Sequence, residues 1–285
     1  MIAPEMNLQE RVSRAYGMLK ECEMCEWRCG ADRTRGEQAP CRLGQDTFVF
    51  NQYLSLSEEH EVRPALRIYL GGCNLRCRFC DTAPQCFEPT AGQRIVPSLF
   101  AGELAAAVKA GSKYISILGG EPTLHLHTLL EVAEASPQPL PLAVNTNLYM
   151  TPEVIHLLEG IVSLYLADFK FGNDACACRL SRVPRYLENV TRNLLLIHGR
   201  TPMIVRHLLM PGHLECCFRP VVDWLSANLP GARFQLYTGY VPCYRSKDDP
   251  TISRLNSRNE IREAVNHLKG RNLNWSKDRD ERTED

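Results

Sequence analysis

The sequence has no excess of charge of either sign, since 33 Lys and Arg residues balance 33 Asp and Glu residues. A chain with zero net charge creates no global field that would draw it to nucleic acid or to an anionic membrane surface. It also has no apolar stretch long enough to span a bilayer as a helix. We therefore expect no membrane contact, and we consider a nucleic-acid substrate unfavoured.

The residues from Met1 to Glu5 do not form the basic region and apolar core that begin an export signal. The chain nevertheless has 13 cysteines, an odd number. In the absence of an export signal, many cysteines favour a reducing compartment and metal or redox roles over a disulfide framework. These features predict a soluble cytoplasmic protein.

Internal repeats and low-complexity linkers are also missing, so the domain boundaries come from the hydrophobic pattern. A chain of 285 residues can form one large core with an appendage, or two ordinary domains. We expect an N-terminal helix and Cys-rich appendage over 1–60, a core domain over 61–275 and a charged, flexible tail over 276–285. The first helix is predicted over Leu8–Lys20, because Asn7 and Glu10 have the spacing of a capping box.

The core region alternates strand-like and helix-like segments at roughly the 30-residue period of βαβ units. The predicted strands are 66–70, 114–118, 140–144, 161–167, 203–209 and 233–237. The predicted helices are 98–110, 126–135, 151–160, 185–198, 215–228 and 259–268. This α/β pattern predicts parallel strands that form a doubly wound sheet or a barrel.

Three cysteines at a C-x3-C-x2-C spacing, Cys73, Cys77 and Cys80, directly follow the first predicted strand. Three thiolates can hold three irons of a [4Fe–4S] cluster and leave the fourth iron open for a bidentate small molecule. A structural zinc site would need a fourth closed ligand. The alternative interpretation is three structural or zinc-binding thiols.

This segment, including Phe79 before the third cysteine, resembles the signature of the radical S-adenosylmethionine (radical SAM) enzymes. The resemblance implies that Phe79 contacts a cofactor. The resemblance implies an incomplete (β/α)6 TIM-like barrel. It also implies that the cluster binds S-adenosylmethionine and reductively cleaves it to a 5′-deoxyadenosyl radical, which takes a hydrogen atom from a substrate. The chemistry would belong to the cofactors, with orientation and exclusion of water left to the protein. A reductant such as flavodoxin or ferredoxin is the implied partner.

The loop after the second predicted strand contains Gly119, Gly120, Glu121 and Pro122. Catalytic residues of βα barrels lie at the carboxyl ends of the strands. Glycines permit close approach of the backbone to a ligand, and a carboxylate can accept hydrogen bonds from an ammonium group. The loop resembles the G-G-E-P motif, which in this family contacts the amino group of the methionine moiety.

The next three strand ends place further polar side chains where a zwitterionic, ribose-bearing ligand needs donors and acceptors. These residues are Asn145, Asn147, Asp168, Lys170 and Arg206. Each also has a simpler interpretation. The asparagines suit a turn, Asp168 and Lys170 suit a surface ion pair, and an arginine can extend from the core to the rim.

The triplet from Asp168 to Lys170 looks like the D-L-K triplet of the glycyl-radical-enzyme activases, although Phe169 replaces its leucine. Residues 205–212 look like the R-x4-P-G strand end of the same enzymes. The N-terminal cysteines are similar to those of the branch labelled PflX-like. The resemblance implies a glycyl radical enzyme, a peptide or a small molecule as the substrate.

The N-terminal segment contains a second cysteine group, Cys22, Cys25, Cys29 and Cys41. Four thiols in a loop-rich segment can hold zinc, whose binding would then contribute folding energy. They can instead hold an auxiliary iron–sulfur cluster, or bind no metal.

The other cysteines are expected to be small buried hydrophobes. They are Cys86, Cys176, Cys178, Cys216, Cys217 and Cys243. The C-x-C pair at Cys176 and Cys178 is the exception that could bind a metal, whereas His213 has no partner spacing that favours one. Two other functions stay open: a non-catalytic iron–sulfur or zinc-binding scaffold, and an RNA-modifying radical SAM enzyme.

Overall fold

The computed structural model describes residues 6–278 except 38 and 58. The strands are β1 Phe48–Ser55, β2 Ala65–Leu70, β3 Gln93–Arg94, β4 Tyr114–Gly119, β5 Leu142–Thr146, β6 Val162–Asp168, β7 Met203–Leu208, β8 Arg233–Tyr237 and β9 Asn274–Lys277. The α-helices are α1 Leu8–Lys20, α2 Pro97–Lys109, α3 Leu126–Ala135, α4 Pro152–Leu157, α5 Asp174–Ser181, α6 Tyr186–Ile197, α7 Arg219–Asn228 and α8 Arg258–Leu268.

The chain divides into two compact units. The first consists of Met1–Asn74 and Pro84–Tyr165, and the second of Leu75–Ala83 and Leu166–Asp285. In the first unit β2, β4 and β5 pair in parallel, and β1 pairs antiparallel with both β2 and β3. In the second unit β7, β8 and β9 pair in parallel. Strand β6 contains the point at which the chain passes from one unit to the other.

This architecture is the predicted α/β fold with mostly parallel strands, of the partial-barrel type. All six predicted strands are present, and helices α1 and α3 have the predicted bounds. Strand β5 is shifted by two residues from the prediction, because the apolar run that signals it extends into the preceding loop. The period-based prediction of alternating strands and helices is confirmed.

The sequence pattern missed β1, β3, β9 and α5. Four of the eight residues of β1 are exposed, so it lacks the alternation of a half-buried strand. Strand β9 is polar and reaches into the predicted tail, where Asp278 accepts hydrogen bonds from the backbone and hydroxyl of Thr238 at 2.8 Å. The rest of the predicted tail, 279–285, lies outside the described residues.

The predicted helix over 215–228 does not begin as an α-helix. Its first turn is a π-helix, Leu214–Phe218, in which the backbone N–H of Phe218 donates to the carbonyl of His213 at 3.1 Å. Regular α-helix starts only at Arg219, next to Pro220, which has no backbone N–H to donate. A π-turn of this kind often marks a functional site.

The described part of the Cys-rich N-terminal segment belongs to the first compact unit. Helix α1 packs beside α3, and Arg14 pairs with Glu153 at 3.0 Å. Arg33, only 1% exposed, donates to the carbonyls of Gly44 and Leu124. These contacts join residues that are far apart in sequence, and the division of the chain at residue 60 stays a prediction.

Candidate functional site

The loop that follows β2 carries Cys73, and its backbone is held on both sides. The imidazole of the buried His125 donates from Nε2 to the carbonyl of Gly71 at 2.9 Å, and its Nδ1 contacts Thr47 Oγ1 at 2.9 Å. On the other side the indole of Trp27 donates to the carbonyl of Asn74 at 2.8 Å. The half-buried Cys73 therefore has a fixed backbone in the first unit.

Asn147, at the end of β5, directs its side-chain amide toward this loop. Its Nδ2 donates to Asn74 Oδ1 at 2.8 Å and lies 3.9 Å from Cys73 Sγ. Its Oδ1 accepts from the backbone of Tyr149 at 2.9 Å, which fixes the amide orientation. An N–H group that faces a sulfur favours the thiolate over the thiol. Asn145 is half-buried on β5 itself.

The two glycines after β4 allow the backbone of their loop to lie directly against the backbone of residues 70–72. A Cβ atom at Gly120 would lie 1.8 Å from the carbonyl oxygen of Gly72, and one at Gly119 would lie 2.4 Å from the backbone nitrogen of Leu70. Gly119 also has a φ of 105°, which side-chain-bearing residues rarely adopt. Both glycines are needed so that the G-G-E-P loop can contact the segment just before Cys73.

Glu121 is buried, with 1% of its surface exposed, and its carboxylate accepts four hydrogen bonds. Oε1 accepts from the backbone and hydroxyl of Thr123 at 3.2 and 2.8 Å and from the hydroxyl of Thr146 at 2.8 Å. Oε2 accepts from the backbone of Asn147 at 2.8 Å. Burial raises the pKa of Glu121, while these hydrogen bonds oppose the rise. The carboxylate thus joins the loops after β4 and β5.

Cys77 lies in the second unit, where the hydroxyl of Ser181 donates to its sulfur at 2.9 Å. Backbone hydrogen bonds from Arg76 to Ser181 and from Arg78 to Leu180 attach its loop to the end of α5. Burial raises the pKa of Cys77 to about 11, and the nearby Lys170 opposes this rise. A metal that binds this thiol must displace its proton, and both the Ser181 hydroxyl and the positive charge of Lys170 favour the loss of that proton.

The remaining two residues of the cysteine segment have different environments. Cys80 is half-buried and its sulfur lies 3.3 Å from Thr82 Oγ1. Phe79 is 7% exposed and packs edge-to-face against Phe171 at 6.0 Å between ring centroids. The ring predicted to contact a cofactor therefore belongs to the core of the second unit.

The structure brings Asp168, Lys170 and Arg206 together in the second unit. Lys170 Nζ lies 2.7 Å from one carboxylate oxygen of Asp168, and Arg206 Nε lies 3.5 Å from the other. Burial acts to lower the pKa of Lys170, but the Asp168 carboxylate outweighs it, so the pKa is raised. The Arg206 guanidinium also stacks on Tyr237 at 5.1 Å. These partly exposed groups form a charged cluster with one more cation than anion.

Sequence reasoning missed Ser181, His125 and Trp27, which orient the cysteine loops. None of these three residues belongs to a motif that signals such a contact, so only the folded chain identifies their roles. In the N-terminal group, Cys22, Cys25 and Cys41 are buried and Cys29 is exposed. Burial raises the pKa of Cys25 to about 12, and the charges of Cys41 and Cys22 add to the rise.

The three cysteines of the C-x3-C-x2-C segment fit a thiolate-bound cluster in their donor set. Each sulfur has an amide or hydroxyl group of its own unit within 4.0 Å, from Asn147, Ser181 or Thr82. Hydrogen bonds to the sulfurs are among the factors that set the potential of an iron–sulfur cluster.

Acid should destabilise this protein through its buried histidines. Burial lowers the pKa of His125 to about 3 and that of His207, which contacts the carbonyl of Phe169 at 2.7 Å, to about 4. Because both are neutral when folded and bind protons near pH 6.5 when unfolded, their stabilisation is complete above pH 6.5. It is lost as the pH falls from 6.5 toward 4, by up to about 1.4 kcal/mol per pH unit for each histidine.

Urea unfolding of the full chain at pH 7 and pH 5 measures this loss. The variant His207→Gln is expected to lower the free energy of unfolding at pH 7. It should also reduce the difference between the free energies of unfolding measured at pH 7 and at pH 5. The exposed His60 offers a matched control, since His60→Gln should leave that difference unchanged. If the free energy of unfolding depended on pH equally in wild type and in His207→Gln, the role of His207 in acid destabilisation would be contradicted.

The family model for the radical SAM superfamily matches residues 68–225, which include the cysteine segment, the G-G-E-P loop and Arg206. Among the helices of the described residues, none is long and apolar enough to cross a membrane.

Curated relatives and solved structures are similar to the chain over different lengths. An uncharacterized protein of Methanocaldococcus jannaschii is 36% identical over 272 residues, which cover 93% of this chain and 79% of that protein. The 7-carboxy-7-deazaguanine synthase of Methanothermobacter thermautotrophicus is 32% identical over 98 residues, 34% of this chain and 39% of the synthase.

The structure of Streptococcus suis SuiB bound to the precursor peptide SuiA superposes with a TM-score of 0.55 at 17% identity. It covers 73% of this chain and 46% of SuiB. The chain thus spans less than half the length of SuiB and of the synthase. The likeness to SuiB shows the fold.

Proposed function

The chain belongs to the radical SAM superfamily, and from that premise we propose that this enzyme takes a hydrogen atom from a glycine residue of a protein or peptide. Membership implies a [4Fe–4S] cluster and S-adenosylmethionine as cofactors. When bound, they supply one electron and a primary-carbon radical that abstracts hydrogen. The protein side chains bind and orient these groups and exclude water from them.

The proposed cluster ligands are Cys73, Cys77 and Cys80. Their spacing places three thiols within eight residues, and each sulfur has an N–H or O–H group nearby. The rigid backbone on both sides of Cys73 supports this role, because a cluster site needs ligands held in place before the metal arrives.

The loop from Gly119 to Glu121 is proposed to hold the methionine end of S-adenosylmethionine. Since the Glu121 carboxylate already accepts four hydrogen bonds, we assign it a positioning role: it fixes the loops that present the backbone of Gly119 and Gly120. Asn147, directly after β5, then joins this loop to the cysteine segment, and Asn145 lies on β5 itself.

The observation that carries the proposed glycine substrate is the cluster of Asp168, Lys170 and Arg206. These three charges come from two separate motifs that both resemble the glycyl-radical-enzyme activases, and in the second unit they form one ion-pair network. A cluster with one excess cation suits the carboxylate or the ribose hydroxyl groups of a bound nucleoside derivative. The proposed partners are a glycyl radical enzyme or a peptide, and a reductant such as flavodoxin or ferredoxin.

Other substrates remain as alternatives to a protein glycine. The structural neighbour SuiB was solved with a bound precursor peptide, and this supports a peptide as the substrate of this chain. The partial match to 7-carboxy-7-deazaguanine synthase keeps a small molecule as the second candidate. The balance of 33 basic and 33 acidic residues gives no support to an RNA substrate. A non-catalytic scaffold would have no need for the G-G-E-P loop and the charged cluster together.

Isotope transfer tests the proposal directly. The anaerobically reconstituted full chain, given a strong reductant, should convert S-adenosylmethionine to 5′-deoxyadenosine. Glycine-containing peptides or a glycyl radical enzyme labelled with deuterium at the glycine α-carbon should raise this rate and transfer deuterium into the 5′-deoxyadenosine. Cleavage without such transfer, together with transfer from a small molecule, would reject the glycine substrate. Absence of cleavage at full iron loading would reject the enzyme activity itself.

A further inference from the structure

Four metal-binding side chains that lie outside the cysteine motif meet at one point of the second unit. They are Cys176 from α5, His213 from the loop after β7, and Cys216 and Cys217 from the π-helix. One potential ligand atom from each lies within 4.8 Å of all the others. His213 and Cys217 are buried, and Cys176 and Cys216 are half-buried.

The distances in this cluster match the edges of a tetrahedron around one ion. The three sulfurs of Cys176, Cys216 and Cys217 lie 3.6, 3.3 and 3.5 Å from His213 Nδ1. The sulfur of Cys216 lies 3.8 Å from that of Cys176 and 3.9 Å from that of Cys217. Zinc bonds of about 2.3 Å to sulfur and about 2.0 Å to nitrogen give edges of about 3.8 Å and about 3.5 Å.

We propose that Cys176, His213, Cys216 and Cys217 bind one zinc ion. Zinc prefers four tetrahedral nitrogen and sulfur ligands, and a site with four protein ligands is closed and structural. An iron–sulfur cluster fits less well, because it distributes its cysteines over separate irons and so needs them further apart. The ion would join α5 to the π-helix, two segments that are 33 or more residues apart in sequence.

The backbone conformation around the four side chains brings them close together. The π-helix places two consecutive cysteines beside His213, with both Cys217 and Phe218 donating to the His213 carbonyl at 3.1 Å. A Cβ atom at Gly172 would lie 2.5 Å from the carbonyl oxygen of Cys217, so glycine is required for this close approach.

Asn173 supplies the surrounding hydrogen bonds. Its Nδ2 donates to the carbonyl of Cys216 at 2.6 Å and lies 3.3 Å from Cys176 Sγ, while its Oδ1 caps α5 by accepting from the Cys176 backbone. Groups that fix the orientation of metal ligands in this way strongly affect metal affinity.

Arg179 contacts the imidazole of His213, one of the proposed zinc ligands. Its Nη2 lies 3.1 Å from His213 Nε2, the atom that must keep its proton when Nδ1 binds the ion. Two donors cannot share a hydrogen bond, so the guanidinium must withdraw toward Asp249 and Thr251, which it already contacts at 3.2 and 3.1 Å. There its positive charge still offsets the net negative charge of three thiolates and one zinc ion.

Metal analysis of the full chain, reconstituted anaerobically with iron and sulfide and then supplied with ZnCl₂, tests the proposal. Zinc is expected to fall by one ion per chain in Cys176→Ser/Cys217→Ser, with iron unchanged. The matched control Cys178→Ser alters an exposed cysteine on the same helix and should keep the zinc. An unchanged zinc content in the double variant, or a loss of iron in place of zinc, would overturn the site.

A measurement on the wild-type chain avoids any folding defect of the variants. With zinc present, alkylation followed by peptide mass spectrometry should show Cys176 and Cys216 protected and Cys178 labelled, and a chelator should abolish the protection. Equal labelling of Cys176 and Cys178 with zinc present, or a disulfide between Cys176 and Cys216, would contradict zinc binding. Since the readouts are zinc and thiol protection, the result is independent of whether S-adenosylmethionine is cleaved.

Discussion

Replacement of Cys73, Cys77 and Cys80 together by serine is expected to abolish the formation of 5′-deoxyadenosine, with a loss of more than about a thousandfold. The reason is that residues which act as one unit lose nearly all activity when any member is removed. Cys77→Ser alone should therefore cost about as much as the triple change. Product formation by anaerobic chromatography and iron per chain are the measurements.

The same Cys178→Ser variant serves as the matched control for this experiment, since it exchanges an exposed cysteine outside the motif. Substitution of Cys22, Cys25, Cys29 and Cys41 provides a second comparison. It should leave the cleavage-competent cluster in place, and should remove either zinc or about one cluster's worth of iron if those cysteines bind a metal. Cleavage that survives the triple change would disprove the assignment of the catalytic cluster.

Glu121→Ala is expected to lower the free energy of unfolding by about 2–5 kcal/mol and to weaken S-adenosylmethionine binding at least about tenfold. The buried donors from Thr123, Thr146 and Asn147 would lose their acceptor, and each unsatisfied buried group costs about 1–3 kcal/mol, of which relaxation recovers part. The loops after β4 and β5 would then no longer hold their relative positions within the first unit.

Denaturant unfolding and equilibrium dialysis of S-adenosylmethionine measure the two effects separately. Arg206→Ala is the matched comparison for Glu121→Ala. It should weaken the binding of S-adenosylmethionine but lower the free energy of unfolding less than Glu121→Ala does. Iron content should be unchanged in both variants. A Glu121→Ala protein that binds S-adenosylmethionine normally would rule out the positioning role, and loss of iron would indicate that the residue supports the cysteine segment instead.

The sequence alone determined the features that depend on spacing and period. The alternation of apolar strands and amphipathic helices predicted the α/β fold, because these periods are local properties of the chain. The C-x3-C-x2-C spacing and the G-G-E-P loop at the next strand end predicted a radical SAM site, since each motif is complete within a few residues. The family match over 68–225 confirms that the chain belongs to this superfamily.

The tertiary structure decided which groups meet across long separations in sequence. Ser181 bonds to Cys77 from 104 residues away, and His213 meets Cys176 across 37 residues. The hydrogen bonds that Glu121 accepts from Thr146 and Asn147 likewise depend on how the loops after β4 and β5 approach each other. No short pattern encodes such contacts, because they follow from strand register and from the packing of helices that only the folded chain defines.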